Sequence, residues 1–307
     1  IAGLLSDTAS YRVRGFELGA AGNITDQISV YGGYVHLDSE VTKTLVPANL
    51  GLPLANIAHD SFNLLVKYKV NDALTIGGGM GYGSDSSDIG DNGSRSKGTA
   101  YSFALYGSYS PGELFFMDGL WGYQSLDYDL RRFVTSNGNF VDGKRKGTQW
   151  FGSVSAGADI QKGAWQFTPY VRADVARADL DSYTEHGDAI FALAYNNLEV
   201  DTDTGNVGVR IDYRREASWG LWSPQFRLEY QHDFKGNGAQ TMRYADLPTG
   251  PFYRAGLNDF DRSRLMLGLG VLFSLDNDWS FKFDYRGLIG SGGDSDHGLQ
   301  LNVDKKF

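Results

Sequence analysis

The last nine residues, Leu299-Gln300-Leu301-Asn302-Val303-Asp304-Lys305-Lys306-Phe307, alternate with one interruption at Lys305: Leu299, Leu301, Val303 and Phe307 share one parity, and Gln300, Asn302, Asp304 and Lys306 the other. A side-chain period of two is that of a strand with one apolar and one polar face. Just upstream, Trp279, Phe281, Phe283 and Tyr285 alternate with Ser280, Lys282, Asp284 and Arg286. The pattern continues backwards through Leu265–Phe273, Phe226–Gln231 and Val207–Arg214. It recurs in Trp165–Val175, Trp150–Ile160, Tyr101–Tyr109, Leu74–Tyr82, Phe62–Val70 and Ile28–Tyr34. Leu114–Asp129 is apolar at both ends, and its register stays ambiguous. Such segments have about the length that a tilted strand needs to cross a bilayer.

The connections alternate too. Short ones fall near Thr25–Gln27, Asn71–Asp72, Pro111–Gly112, Lys162–Gly163, Ala217–Trp219 and Asp276–Asp278. Long ones fall at Ser39–Asp60, Gly83–Gly98, Thr135–Gly147, Glu185–Asp203 and Lys235–Arg262, with a modest one at Gly290–Asp296. Tight turns on one side and large loops on the other are the pattern of an outer-membrane barrel, with periplasmic turns and extracellular loops. A soluble sandwich also alternates, but strand length, aromatics at strand ends and the turn asymmetry favour the membrane.

Composition agrees. The 307 residues hold 40 Gly, 14% aromatics and 7 Pro, which suits long strands and aromatic girdles, and a mean hydropathy of −0.33 fits alternation of lipid-facing and lumen-facing residues. No run of apolar residues is long enough for a membrane helix. The absence of Cys excludes disulfides and Cys chemistry, and a net charge of −9 argues against nucleic acid as a partner. The chain opens at Ile1 without a basic, apolar leader, as a mature or shortened form would.

The expected fold is therefore all-β: one transmembrane antiparallel up-and-down β-barrel over residues 1–307 in the bacterial outer membrane. The segments number about thirteen, whereas single-chain bacterial barrels have even strand numbers. Three readings reconcile the two. Tyr11–Ile24 descends inside the lumen, or a short strand such as Ile1–Leu5 precedes it, or Leu114–Phe133 is miscounted. The alternation of Phe16, Leu18 and Ala20 with Gly15, Glu17 and Gly19 favours a wall strand, so 12 strands are expected, or 14.

From Leu74 to Phe307 the chain resembles the C-terminal translocator domain of autotransporters, the type V secretion proteins. The matching features are TPYVRADVARADLDSYTEHG (Thr168–Gly187), GVRID (Gly208–Asp212), FRLEYQH (Phe226–His232) and the terminal Phe307. The resemblance implies an outer-membrane barrel whose lumen holds the linker to an exported N-terminal passenger. It departs at the start, since residues 1–30 show no helical linker pattern. Residues 1–84 are similar instead to strands of siderophore-type TonB-dependent receptors, through YRVRGFELGAAGNI (Tyr11–Ile24), VYGGYVHLD (Val30–Asp38), GLPLANIAHDS (Gly51–Ser61) and LTIGGGMGYG (Leu74–Gly83). No plug-like segment accompanies them, so substrate import does not carry over. A pore or transport barrel related to those receptors, or a surface ligand-binding barrel, remains the alternative.

Functional residues follow from the faces. Leu299, Leu301, Val303 and Phe307 look like the C-terminal signal read by the barrel-assembly machinery, which would pair with the last strand by β-augmentation. The expected lumen-lining charges are Arg172, Asp174, Arg210, Asp212, Arg214, Arg227, Glu229, Lys282, Asp284 and Arg286. Their mixed signs suit cross-strand pairing, a polar conduit, or both. His36, His59, His186, His232 and His297 are spread without ligand spacing, so no metal site is expected. His186 with Asp188, or His297 with Asp294 and Asp296, lacks a catalytic motif, Gly292-Gly293-Asp294-Ser295 is no lipase elbow, and the Gly78–Gly81 run is no phosphate loop. No enzyme activity and no cofactor are expected. The expected partners are outer-membrane lipid and lipopolysaccharide, the assembly machinery, and the chain's own passenger.

Overall fold

A computed structural model describes residues 10–44, 47, 50–54, 57–89, 92–235, 238–256, 261–293 and 295–305. The chain runs through β1 (Ser10–Asn23), β2 (Ile28–Lys43), β3 (Asp60–Lys69), β4 (Leu74–Ile89), β5 (Ser94–Tyr109), β6 (Phe115–Phe133) and β7 (Phe140–Ala158). Next come β8 (Ile160–Lys162), β9 (Trp165–Leu180), β10 (Tyr183–Thr184), β11 (Leu193–Tyr195), β12 (Leu198–Tyr213) and β13 (Arg215–Ala217). Then follow β14 (Gly220–Asp233), β15 (Ala239–Tyr244), β16 (Tyr253–Gly256), β17 (Ser263–Leu275), β18 (Trp279–Gly290) and β19 (Ser295–Lys305).

Among the described residues, thirteen strands form one antiparallel meander in the order β1-β2-β3-β4-β5-β6-β7-β9-β12-β14-β17-β18-β19, and β8 and β13 are short additions to β9 and β14. The described count lies between the expected 12 and 14. β1 pairs with β2 along its whole length, from Ser10 opposite Lys43 to Asn23 opposite Ser29, so it belongs to the wall and does not descend through the lumen. Phe115–Phe133 is one strand, paired residue for residue with β7, so this segment counts once. Residues 1–5 lie outside the described residues. β1 therefore enters from the loop end, and β19 leaves at the turn end.

The faces decide between membrane and water. Large apolar side chains of one parity stand open on the outside of the wall: Leu18 is 65% exposed, Val207 62% and Leu299 72%. Met80, Phe103, Met117, Val154, Val171 and Leu269 belong to the same band. The register sets the ambiguous β6 so that Phe115, Met117, Trp121 and Tyr123 join it. A water-soluble sandwich would bury these residues between its sheets. A continuous exposed band around a wall is what a hydrocarbon solvent selects. Conversely, the buried apolar cluster lies in the loops, where Val134, Val141 and Ala192 pack with Phe191 and Ala245.

The long connections are shorter than expected because the strands run on beyond the band. β4 and β5 continue through most of Gly83–Gly98 and pair out to Ile89 opposite Ser94. β7 takes up much of Thr135–Gly147. Above a membrane both faces are wet, so a ladder persists where hydropathy no longer alternates. β10, just before Glu185–Asp203, joins β11 within it and β15 and β16 within Lys235–Arg262 in a second, four-stranded sheet at the loop end.

Candidate functional site

The polar face carries one dense network near its middle, on β9, β12 and β14. Tyr170, Gly208 and Glu229 are cross-strand neighbours in one row. A Cβ at Gly208 would come within 2.5 Å of the Tyr170 ring, so only glycine lets the phenol lie across β12 and donate to Glu229. Glu229, itself 5% exposed, also accepts from Arg172 at 3.1 Å and from Arg227 at 2.8 Å. Arg227 Nε further donates to the Tyr170 hydroxyl at 2.8 Å. Arg172 reaches Asp174 at 3.0 Å, and Asp174 accepts from Ser153 at 2.6 Å and from Asn206 at 2.8 Å. Each buried carboxylate oxygen thus meets a donor, which is the condition for keeping charge in a partly desolvated row.

Four of the ten expected charges, Arg172, Asp174, Arg227 and Glu229, fall within this network. The others cluster beside it. Arg210 Nε bonds Asp212 at 3.1 Å, and Lys282 Nζ lies 3.1 Å from Asp284. Arg210, Arg227, Asp284 and Arg286 line a cavity of about 260 Å³, and Arg210, Asp212 and Arg214 line another of about 540 Å³ nearer the turn end. Arg214 follows β12 and donates its backbone N–H to Ala164. Sequence reasoning missed Tyr170, Asn206 and Ser153. The signal for the first two was available, since they share the parity of Arg172 and Arg210.

At the loop end, Arg132 forms a two-pronged pair with Glu185, at 2.9 and 2.6 Å, and a third bond to the Phe191 carbonyl at 2.9 Å. Arg145 donates to the Asp181 carbonyl at 2.8 Å and to Gln240 at 2.9 Å. Tyr183 stacks on Tyr195 with centroids 4.6 Å apart, and burial pushes the Tyr183 phenol up from its ordinary range. These contacts fasten the second sheet against the extensions of β6 and β7.

His186 and Asp188 form no catalytic pair. His186 makes a backbone bridge with Asp142, while Asp188 accepts from Asn139, from the backbone N–H groups of Phe191 and Ile190, and from Asn137. Those donors hold its carboxyl well below the usual carboxylate range. His297 bonds Tyr285 at 2.9 Å, and Asp294 lies outside the described residues. His36 and His59, in contrast, meet. The β2–β3 register sets His36 opposite Asp60, and the two imidazoles stand edge to face with centroids 4.4 Å apart. Of the expected assembly residues, Leu299, Leu301 and Val303 lie exposed on β19, and Phe307 lies outside the described residues.

Known proteins share this architecture. The translocator domain of the autotransporter NalP from Neisseria meningitidis superposes with a TM-score of 0.54 at 15% identity, covering 97% of this chain and 88% of that one. The Pseudomonas putida toluene transporter TodX gives 0.50 at 10% identity, covering 97% and 80%. At such identities the likeness concerns the fold alone. In sequence, esterase EstA of Pseudomonas aeruginosa is 26% identical over 219 residues, 68% of this chain and 33% of the relative. A probable TonB-dependent receptor of Bordetella pertussis, BfrD, is 36% identical over 98 residues, 32% of this chain and 13% of the receptor. The chain thus spans a third or less of the length of these relatives. The autotransporter beta-domain family matches residues 57–286, most of the wall and all of the polar network. The chain belongs to the autotransporter beta-domain family and is an outer-membrane translocator barrel.

Proposed function

We propose that the barrel anchors and displays a passenger carried upstream on the same polypeptide, and that the linker to this passenger lies in the lumen against the network of Tyr170, Arg172, Asp174, Arg227 and Glu229. One observation carries the reading: a polar face of mixed sign, internally paired, set inside a wall whose outer band is apolar. Paired charges present hydrogen-bonding groups to a passing chain without binding one sign of solute tightly. The match to EstA covers a third of that protein, which leaves room in such relatives for a large further segment. We assign the barrel no reaction of its own.

The apolar band would meet lipid, with lipopolysaccharide around the strand extensions. Leu299, Leu301 and Val303 would be read by the assembly machinery, because β19 ends the meander and offers an edge for strand addition. The test is a reporter domain fused upstream of Ile1. Display predicts a protease-accessible reporter on intact cells, together with a heat-modifiable barrel. A reporter retained in the periplasm beside a correctly inserted barrel would overturn the proposal. Large, steady conductance from the fusion in planar bilayers would favour a solute pore instead.

A further inference from the structure

Five side chains converge at the loop end of β2 and β3, on the parity of the apolar band but at its upper margin. Asp60 Oδ1 lies 2.9 Å from His36 Nδ1, and Asp60 Oδ2 lies 3.0 Å from His59 Nδ1. From the other side Asp38 Oδ1 lies 3.0 Å from His59 Nε2, and Asp38 Oδ2 is 3.8 Å from His36 Nε2. The Tyr34 hydroxyl holds Asp60 Oδ1 at 2.5 Å. One ligand atom from each of His36, His59 and Asp60 falls within 4.8 Å of the others.

The donors and acceptors do not balance here. A neutral imidazole has one N–H, so two neutral rings bring two donors. Three of their nitrogens nevertheless stand within 3.0 Å of carboxylate oxygens. With neutral rings the group carries two negative charges and at least one lone pair facing a carboxylate. A divalent cation removes both faults. Two imidazoles and a carboxylate suit borderline ions, and such sites commonly leave one position to water.

We propose that His36, His59 and Asp60 bind one divalent transition-metal ion of the zinc class, through Nδ1 of each ring and a carboxylate oxygen. Asp38 then accepts from His59 Nε2–H, as a carboxylate behind a ligating histidine fixes its tautomer and orientation. Tyr34 fixes the Asp60 rotamer. Bonds of about 2.0–2.1 Å require the ligand atoms to close to roughly 3.4 Å. His59 supplies that movement, because it lies in the β2–β3 connection and is half-exposed. The bound ion would clamp the two ends of that connection together at the outer rim, a place that neither display nor conduction uses.

The test uses the untagged barrel in detergent micelles, titrated with Co²⁺ for its visible absorption and then competed with Zn²⁺. The expected result is one saturable equivalent with tetrahedral cobalt bands. His59→Ala and His36→Gln should abolish it, and Asp38→Asn should weaken it about 10-fold. His297→Ala should bind as the parent does. His59 lies outside the wall strands, so its substitution leaves the heat-modifiable fold as a control. Absence of saturable binding by the parent, or one equivalent still bound when both histidines are replaced, would overturn the site.

Discussion

Tyr170 lies across Gly208 to reach Glu229 one strand further on, so a glycine on β12 decides whether the phenol of β9 meets the carboxylate of β14. Gly208→Ala places a methyl group against the ring and forces the phenol off the carboxylate. The expected cost is about 1–3 kcal/mol, read as a lower temperature for loss of the folded, fast-migrating band. Tyr170→Phe, which keeps the ring and deletes only the hydroxyl, should cost less.

Glu229 neutralises two arginines at once. Replacing it with Ala leaves Arg172 and Arg227 facing each other's charge on a partly desolvated face. We expect about 1–3 kcal/mol of destabilisation, and a more conductive, more cation-excluding lumen in planar bilayers. A double-mutant cycle of Glu229→Ala with Arg227→Ala should return a coupling clearly different from zero.

The loop sheet depends on Arg132. Arg132→Ala removes both prongs to Glu185, which is 5% exposed and would keep its charge without its cation. Limited proteolysis of the inserted barrel should then cut within residues 185–198 much faster than in the parent, while the wall stays heat-modifiable. Equal cleavage rates would show that the Tyr183–Tyr195 stack and the Arg145 contacts hold the sheet without Arg132.

Asp188 gives the same region an acid limit. Its folded pKa is depressed below the ordinary aspartate value of about 3.9 by the donors from Asn139, Phe191, Ile190 and Asn137. A depressed carboxyl contributes stability that is fully present above the unfolded pKa and is lost as pH falls through the folded one. The loop should therefore resist pepsin at pH values just below 4, and Asp188→Asn should remove that resistance at every pH. A parent loop that already opens near pH 4 would count against the assignment.

The wall could be read from the sequence because burial there has one simple rule. Val207, Val209 and Ile211 face lipid and Arg210 and Asp212 do not, so period two is written directly into the residues. The thirteen segments of the pattern reappear as thirteen wall strands among the described residues. Beyond the membrane the rule lapses. Ser84–Ile89 pairs with Ser94–Thr99 through backbone bonds that demand no hydropathy, so a ladder looked like a loop. The charges of the polar network and the placement of Tyr170 were visible by parity, but the phenol's role was not, because it depends on the missing side chain of Gly208 on the neighbouring strand. The meeting of His36 with His59 required the β2–β3 register, which periodicity alone does not supply.

The thirteen wall strands among the described residues have a mechanical consequence. β1 and β19 both travel from the loop end towards the turn end, so any closure of one onto the other joins strands that run the same way. Such a junction has slanted, evenly spaced bonds and is somewhat weaker per residue than every other contact in the wall. If β1 and β19 met in this way, their seam would be the weakest junction of the wall. Lateral opening, whether for entry into the bilayer or under stress, would begin between Ser10–Asn23 and Ser295–Lys305.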